Sequence, residues 1–281
     1  MHPIKKCCEN DNRSVGAECR KMDWVRLLSP RELADALGVS ESSLKRWVDA
    51  GKITAARTEG GHRRITLQEA VRFIRESGAP LARPELLDMP DISAVRMGDD
   101  ASRHYLVEGD AVAARGWLLA RYLGGASVGA LCDGPVREAM DRIGELRHEA
   151  DGVFIEHRAI DTCLLALAQL RSMFEPPAHA PYALGATPDH DIIPAFMAAT
   201  VVASVGMRSV NLGPDTPVGA LASAVGRLHP ALVWIRASAE LSPELEQWLL
   251  TLPSATVAIG VRATMVELAA LATKIVHQNA P

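Results

Sequence analysis

Residues 29–65 read SPRELADALGVSESSLKRWVDAGKITAARTEGGHRRI and decide the fold of the N-terminal part of the chain. Ser29 and Pro30 are a cap residue and a first-turn proline, and they predict a short helix that Gly38 ends. Ser40 can cap a second helix after this turn, and the apolar residues that follow are spaced to give it a buried stripe. Two short helices joined by a tight turn predict a helix-turn-helix.

The same stretch also predicts a basic surface for DNA. The second helix exposes hydroxyls and cations near its N-terminus, where such groups can reach base edges and phosphates in a major groove. Strands at residues 52–57 and 62–65 flank a glycine turn at Gly60 and Gly61, which predicts a wing. Each basic residue alone is equally typical of a solvated surface, but together they predict a winged helix-turn-helix that binds DNA. The residues expected to contact DNA are Ser42, Ser43, Lys45 and Arg46 on the helix, and Arg57, His62, Arg63 and Arg64 on the wing.

The segment at residues 27–77 resembles the DNA-binding head of the MerR and excisionase-like families. The resemblance rests on the pattern S-x-x-E-x-A-x-x-L-G-V-S at residues 29–40 and on the G-G-H-R-R turn at residues 60–64. It implies that the helix after the turn enters the major groove and that the wing contacts the DNA backbone. Thr66 and Glu69 form a T-x-x-E capping box, which predicts a third helix up to the end of this segment.

Charge is distributed unevenly along the chain, which has 281 residues and a net charge of −4. Residues 20–84 carry 13 Lys or Arg and 8 Asp or Glu, and residues 1–19 carry three of each, so that residues 85–281 have a net charge of −9. A basic head on an acidic body favours a protein that docks one end on nucleic acid. We expect operator DNA as the partner of the head, with an affinity that falls as salt rises.

Other classes of protein find little support in the sequence. No apolar run reaches membrane-spanning length and no secretory signal begins the chain, so we expect a cytoplasmic protein without membrane contact. The five cysteines include no C-x-x-C pair, so neither a metal site nor a disulfide framework is expected. A metal held by His2, Cys7, Cys8 and Cys19 is the weaker alternative to a disordered leader at residues 1–22. Hydrolase and P-loop motifs are absent too, and we expect no enzyme.

Two proline-rich linkers, at residues 78–84 and 175–181, divide the rest of the chain. Amphipathic helices between the linkers predict a four-helix bundle. The predicted helices cover residues 110–123, 127–149 and 154–174, with a fourth drawn from residues 84–95. The predicted domains are a disordered leader (1–22), a winged helix-turn-helix (23–78), a helical bundle (79–175) and an α/β domain (182–281).

Strands alternate with helices after the second linker. Short apolar strands are predicted at residues 182–185, 209–212, 232–236 and 256–259, each followed by a helix. This alternation predicts a doubly wound parallel sheet of the flavodoxin-like type. Ligands of such folds bind beyond the carboxyl ends of the strands, so we expect a site formed by the loops that follow them.

A MerR-type head followed by a bundle and a flavodoxin-like domain resembles the cobalamin-dependent repressors of the CarH and CarA type. The resemblance implies that the bundle covers the upper face of a corrinoid. It also implies that the α/β domain supplies a lower-ligand histidine in the motif D-x-H-x-x-G and a pocket for the nucleotide tail. On this resemblance the candidate cofactor-binding residues are Trp117, Glu156, His157, Asp189, His190, Asp191, Gly213, Arg236 and Gly260.

The cobalamin motifs are degenerate in this chain. The three fixed positions of D-x-H-x-x-G fall on Asp189, Asp191 and Pro194, so His190 lies one residue away from the ligand position. A carboxylate is a much poorer cobalt ligand than an imidazole. We therefore expect no cofactor, with adenosylcobalamin or another tetrapyrrole as the alternative. Further replacements are Arg236 for a serine, Val261 for a glycine and Leu146 for a tryptophan whose place Trp117 would have to take.

The sequence as a whole predicts a DNA-binding transcriptional regulator. We expect a repressor, although no residue of the sequence distinguishes repression from activation. We expect the bundle and the α/β domain to form a homo-oligomer, either a dimer or a tetramer, because one winged helix offers a small DNA interface. They could also sense a small-molecule or protein effector. The alternatives are a light- or ligand-responsive repressor that depends on cobalamin or another tetrapyrrole, a corrinoid-carrying subunit of the methyltransferase type, and an excisionase-like accessory factor.

Overall fold

A computed structural model describes residues 26–58, 60–98, 100–236, 240–253, 256–259 and 263–279, with the backbone alone for residues 257–259. The predicted leader, with Cys7, Cys8 and Cys19, lies outside these residues. None of the helices within the described ranges is long and apolar enough to cross a membrane.

The described part of the head contains three helices and a small antiparallel sheet. The elements are β1 (Leu27–Leu28), α1 (Pro30–Leu37), α2 (Glu41–Asp49), β2 (Ala56–Arg57), β3 (Arg63–Thr66) and α3 (Leu67–Ser77), and the strands pair in the order β1-β3-β2. Ser29 Oγ accepts a hydrogen bond from Glu32 N at 3.2 Å, and the Glu32 carboxylate accepts one from Ser29 N at 2.7 Å. This capping box starts α1, and Gly38 ends it in the left-handed conformation with φ 67°.

Two details of the head differ from the sequence prediction. Thr66 Oγ1 accepts from Glu69 N at 3.2 Å, but the Glu69 carboxylate accepts from Thr54 N at 2.5 Å and from Arg72. Only half of the expected capping box therefore forms. The first strand of the wing is limited to β2, because the chain turns before it to bury Ile53 in the core of the head.

The first turn of the segment expected to supply the fourth helix of the bundle packs against the head. Pro84–Leu87 forms one 3-10 turn that contacts α1, and Leu87 is fully buried. The backbone N–H of Ala82 donates to Ala36 O in α1 at 2.9 Å. The prediction of a bundle helix over residues 84–95 was wrong. The segment forms only this 3-10 turn, and Pro90 and Val95 then lie beside Gly116 of α5 without forming a helix.

Four main helices form the bundle within the part of the chain that the structure describes. They are α4 (Ala101–Glu108), α5 (Ala111–Leu123), α7 (Arg137–Glu145) and α8 (Gly152–Arg171), with the short α6 (Val128–Leu131) before α7. α4, α5 and α7 all pack against α8. A π turn at Cys132–Val136 joins α6 to α7, and there Gly134 departs from helical geometry and Pro135 lacks an N–H. The helix predicted over residues 127–149 is therefore kinked.

The C-terminal region alternates strands and helices, and all strands that the structure describes there are parallel. The strands are β4 (Tyr182–Ala186), β5 (Arg208–Asn211), β6 (Leu232–Ile235) and β7 (Val257–Ile259), and the helices are α9 (Ile192–Ser204), α10 (Val218–Leu228), α11 (Pro243–Leu249) and α12 (Met265–Gln278). The strand order is β5-β4-β6-β7. α9 and α12 cover one face of the sheet, and α10 and α11 cover the other. Each predicted strand is present within two residues of its expected bounds.

Direct contacts join the three parts of the chain. Arg75 Nη1 in α3 donates to the carbonyl oxygens of Tyr122 and Ala126 at the end of α5, and the Arg75 guanidinium lies 3.8 Å from the centroid of the Tyr122 ring. α9 packs against α8, and α6 packs against α12. These contacts place the carboxyl edge of the sheet opposite α7 and α8, with a cleft between them.

Candidate DNA-binding surface and candidate ligand cleft

The exposed face of α2 carries hydroxyl and cationic groups that its own hydrogen bonds hold in place. Lys45 Nζ pairs with Glu41 at 2.9 Å, and this hydrogen bond lowers the pKa of Glu41. Arg46 Nη2 donates to Ser43 Oγ at 3.1 Å. Ser43 N donates in turn to Ser40 Oγ at 3.1 Å, which is the N-cap of α2. Arg46 is thus anchored to the first turn of α2 while it remains exposed.

The wing carries arginines on both faces of its hairpin. Arg57 lies directly opposite Arg63 across the strands, and Arg64 lies on the other face. Arg63 also pairs with Asp49 at the end of α2, which joins the wing to the helix. Like charges directly opposite each other are unfavourable. Asp49 offsets the charge of Arg63, and Arg57 remains as an exposed cation on the same face of the hairpin.

We call the surface formed by α2 and the wing the basic face. It contains all the residues predicted to contact DNA, and none of them is buried. A surface that presents cations on an exposed helix and an adjacent hairpin attracts a polyanion. Ser42, Lys45, Arg46, Arg57 and His62 are exposed, and Ser43, Arg63 and Arg64 are half-buried.

A cleft of about 710 Å³ separates the bundle from the carboxyl edge of the sheet. Its size suits a ligand as large as a drug molecule or a cofactor. Six of the candidate cofactor residues line it, namely Glu156, His157, Asp189, His190, Asp191 and Arg236. The rest of the lining is Arg137, Met140, Asp141, Arg147 and Ile160 on the bundle, and Thr187, Ile192, Ile193, Pro194 and Met197 on the α/β side.

The bundle wall of the cleft carries a buried carboxylate that is already paired. Arg147 Nε donates to Glu156 Oε2 at 2.7 Å, and Arg147 Nη2 donates to the other oxygen. These hydrogen bonds lower the pKa of Glu156. On the opposite wall, desolvation in the cleft raises the pKa of Asp191, and the charges of Asp189 and Glu156 act in the same direction. Glu156 therefore has a structural partner, whereas Asp191 is held among other acids.

The floor of the cleft contains an unsatisfied hydroxyl beside a desolvated cation. Thr187, directly after β4, is 1% exposed, and its Oγ1 has no hydrogen-bond partner among the described residues. Arg236, directly after β6, donates through Nη1 to Ala263 O at 2.5 Å. Desolvation lowers the pKa of Arg236, and the charge of Arg137 acts in the same direction. A buried polar group without a partner calls for an explanation, and a polar ligand group would supply one.

The two residues at the degenerate ligand position have separate structural roles. Asp191 Oδ1 accepts from Ile193 N at 3.1 Å and so caps α9. His190 Nδ1 lies 2.8 Å from Asp215 Oδ2, and its side chain is 93% exposed at the rim of the cleft. The hydrogen bond through Nδ1 leaves Nε2 of His190 for another partner. Among the residues that the structure describes, no three His, Cys, Asp or Glu side chains gather into a metal site.

Two further candidates, Trp117 and Gly213, do not line the cleft. Trp117 is 5% exposed and packs inside the bundle near Leu106 and Cys163. Trp117 does not lie where it could take the place of the missing tryptophan, because its face of α5 turns toward the bundle core. Gly213 O accepts from Thr187 N at 3.0 Å, next to the floor of the cleft. Gly260 lies outside the described residues.

Sequence reasoning missed two features that bear on the cleft. Trp234 in β6 lies against Gly185 in β4, its partner in the parallel register. Asp133 in the π turn of the bundle accepts the backbone N–H groups of Met265 and Val266 at the start of α12, both at 2.9 Å. A glycine within an apolar strand marks a close approach, so Gly185 was the signal that could have indicated the first feature.

These residues do not fit a cobalamin whose nucleotide tail is buried in the α/β domain. The space between the sheet, α9 and α12 measures about 20 Å³, which is room for about one water molecule. The outer cleft is open, but the space that the described residues leave behind it is small.

Comparisons with known proteins identify the head. A family model described as a helix-turn-helix domain matches residues 27–77. No curated protein matches the chain. Among solved structures, the chain is similar to the monomethylamine corrinoid protein of Methanosarcina barkeri, with 13% identity and a TM-score of 0.44, over 62% of this chain and 96% of that one.

Two further solved structures are similar over most of their length. The methanol:cobalamin methyltransferase complex MtaBC of Methanosarcina barkeri has 15% identity and a TM-score of 0.30, over 85% of this chain and 93% of that one. A cobalamin-binding protein of Desulfitobacterium hafniense has 19% identity and a TM-score of 0.29, over 66% of this chain and 99% of that one. Because these scores are low, we base no assignment on the solved structures. Residues 27–77 are a helix-turn-helix domain.

Proposed function

We propose that the protein is a DNA-binding transcription regulator of the MerR type, with the basic face as its DNA contact. The observation that carries the proposal is the matched helix-turn-helix, in which α2 presents Lys45 and Arg46 outward beside a basic wing. In this arrangement α2 enters the major groove and the wing lies along the phosphates. No catalytic step belongs to this proposal.

The bundle and the α/β domain serve assembly and sensing in this proposal. One winged helix covers few base pairs, so a homodimer or homotetramer on repeated half-sites supplies the specific affinity. An effector in the cleft changes the relative population of assemblies that bind DNA with unequal affinity. We propose that the protein acts in the cytoplasm and represses transcription when it is bound to DNA.

The test begins with the selection of a preferred duplex from a random DNA pool by the full chain. Replacing Arg46 by Ala should weaken binding to that duplex about 5- to 150-fold, because a contact to a base edge contributes about 1–3 kcal/mol. Replacing Arg64 by Ala should weaken binding to all duplexes alike and reduce the slope of log affinity against log salt by about 1. Fluorescence anisotropy at several salt concentrations measures both effects.

Arg227→Ala is the matched control. Arg227 is exposed on α10 in the α/β domain, so the substitution removes the same charge without touching the basic face. Its DNA affinity should equal that of the wild type. The proposal is overturned if the Arg46 and Arg64 variants bind as the Arg227 variant does, or if the wild-type chain selects no duplex.

A further inference from the structure

A second groove lies at the amino edge of the sheet, away from the cleft, and has a volume of about 550 Å³. Tyr182 and Arg208, the first residues of β4 and β5, line it on the α/β side, and Arg171, the last residue of α8, lines it on the bundle side. None of its lining residues belongs to the lining of the cleft. We call it the edge groove, because it lies beside β5, which is an edge strand of the described sheet.

The edge groove is a positively charged site on an acidic part of the chain. Residues 85–281 have a net charge of −9, but the described lining of the groove contains two arginines, Arg171 and Arg208, and no acid. Glu175 lies between two lining residues in the sequence, but it is exposed and does not line the groove. Among the described residues, neither arginine forms an ion pair. The groove therefore attracts an anion.

Arg171 is held in the edge groove in a partly dehydrated state. Its Nη2 donates to Ser209 O at 2.9 Å, and its guanidinium lies 5.7 Å from the centroid of the Phe196 ring. Desolvation lowers the pKa of Arg171. A guanidinium has five N–H donors, and Arg171 makes only one side-chain hydrogen bond to the described residues. A carboxylate would occupy the remaining donors and offset the cost of removing this cation from water.

Arg208 and Ser209 add further polar groups to the same groove. Arg208 Nη1 donates to Ala178 O at 3.1 Å, and its guanidinium lies 4.1 Å from the centroid of the Tyr182 ring. Ser209 Oγ is buried and has no hydrogen-bond partner among the described residues. An arginine that is already fixed against a ring loses less conformational freedom when it binds an anion.

The walls of the edge groove are largely aromatic and apolar. Phe174, Tyr182 and Phe196 line it, together with Ala203 and Met207. Aromatic rings pack favourably against another flat ring. The groove thus combines two cations with flat apolar walls. A ligand that matches both features carries a carboxylate on an aromatic ring.

We propose that the edge groove binds a small aromatic carboxylate. Its planar carboxylate accepts hydrogen bonds from Arg171 and Arg208, because the fork of donors on a guanidinium matches this geometry. Its ring packs against Phe174 and Phe196. Binding at this edge of the sheet does not depend on whether the head binds DNA.

Cinnamate, cinnamamide and acetate are the probes. Cinnamate carries both the ring and the charge, cinnamamide carries the ring alone, and acetate carries the charge alone. In isothermal titration calorimetry, the full chain should bind cinnamate at least about tenfold more tightly than either of the others, because a charged acceptor strengthens the hydrogen bonds and a ring buries apolar area. Arg171→Met should weaken cinnamate binding at least about tenfold and leave the affinity for cinnamamide unchanged, since Met retains an apolar stem.

Arg121→Met is the matched control. Arg121 is exposed on α5 and lies 6.0 Å from the centroid of the Trp117 ring, but it does not line the edge groove. This variant should bind cinnamate as the wild type does. Arg208→Met is a second variant that should also weaken cinnamate binding, and far-UV circular dichroism checks that each variant is folded. The site is contradicted if the wild type binds cinnamate no more tightly than cinnamamide or acetate, or if the Arg171 and Arg208 variants both bind it as the Arg121 variant does.

A second copy of the chain is the other occupant that these measurements distinguish. If it covers the edge groove, the wild type should bind no cinnamate, and Arg171→Met should lower the molar mass that light scattering measures. That result would overturn the ligand site and identify the groove as a contact between chains.

Discussion

Gly185 has no side chain, and the Trp234 ring occupies the space that a side chain would need. Replacing Gly185 by Ala would place a Cβ inside the Trp234 ring. Such overpacking should reduce the free energy of unfolding by about 1–3 kcal/mol or more. Urea unfolding measures the cost, and the same substitution should cost clearly less in a Trp234→Leu background, because the two side chains share one space. An equal cost in both backgrounds would contradict the contact.

The pair of Glu156 and Arg147 makes part of the stability depend on pH. The pKa of Glu156 lies below its ordinary value of 4.5, because Arg147 donates two hydrogen bonds to it. The ionised Glu156 therefore stabilises the folded state above about pH 4.5, and this contribution is lost as the pH falls through the lowered pKa. Glu156→Gln should thus be less stable than the wild type near neutral pH, and the difference should shrink in acid.

Urea unfolding over a range of pH measures this difference in stability. Glu138→Gln is the control, since Glu138 is an exposed acid on α7 and is not the partner of Arg147. A Glu156 variant whose deficit in stability is the same at every pH would show that the hydrogen bonds of Glu156 do not depend on its charge.

At the scale of residues, the pattern of the sequence locates the α/β side of the cleft but not the bundle side. Asp191 and Arg236 could be placed because they follow predicted strands, and the carboxyl ends of parallel strands share one edge. The contact between Gly185 and Trp234 joins strands that are far apart in the sequence, so spacing along the chain does not reveal it. Trp117 was misplaced for a related reason, because the apolar pattern of α5 does not show which neighbour its helix faces.

At the scale of elements, the first turn of α12 is capped from two parts of the chain. Thr264 and Glu267 form its own capping box, and Asp133 accepts the N–H groups of Met265 and Val266. Asp133→Ala would leave both N–H groups without this acceptor and should reduce the free energy of unfolding by about 1–3 kcal/mol. Hydrogen exchange of these two amides, followed by NMR, should become faster than in the wild type.

The control for this prediction is Asp141→Ala. Asp141 is an exposed acid on α7 in the same bundle, and its loss should leave the exchange of α12 unchanged. If both variants exchange at the same rate as the wild type, the contact from Asp133 does not stabilise α12.

Element prediction succeeded where the buried residues of a segment follow its own periodicity, as in α1 and α3. It failed at α4, whose buried face includes the polar Ser102 and Tyr105. Tyr105 is satisfied there because its Oη accepts from Arg96 N at 2.6 Å, a contact that no local pattern shows. Residues 84–95, which were predicted to form the fourth helix, contain more apolar residues. Pro84 and Pro90 limit the helical part of this segment to one turn.

At the scale of the whole molecule, the proposed assembly makes a prediction about DNA. The selected duplex should contain two copies of one half-site whose centres lie about 10 bp or a multiple apart. An insertion of about 5 bp should abolish tight binding because it rotates one half-site to the opposite side of the duplex, and an insertion of about 10 bp should partly restore it. The molar mass of the complex from light scattering should correspond to at least two protein chains on one duplex. A single chain on a single half-site would contradict the assembly.

Arg75 has a consequence for how the head and the bundle can move. Its guanidinium donates hydrogen bonds to the carbonyl oxygens of Tyr122 and Ala126 and also lies over the ring of Tyr122. Turning α3 away from the end of α5 must therefore break all three contacts together. Packed interfaces of this kind change between two discrete arrangements and do not deform continuously. A signal that starts at the cleft would reach the DNA as an on-or-off change in where α2 points, not as a gradual swing.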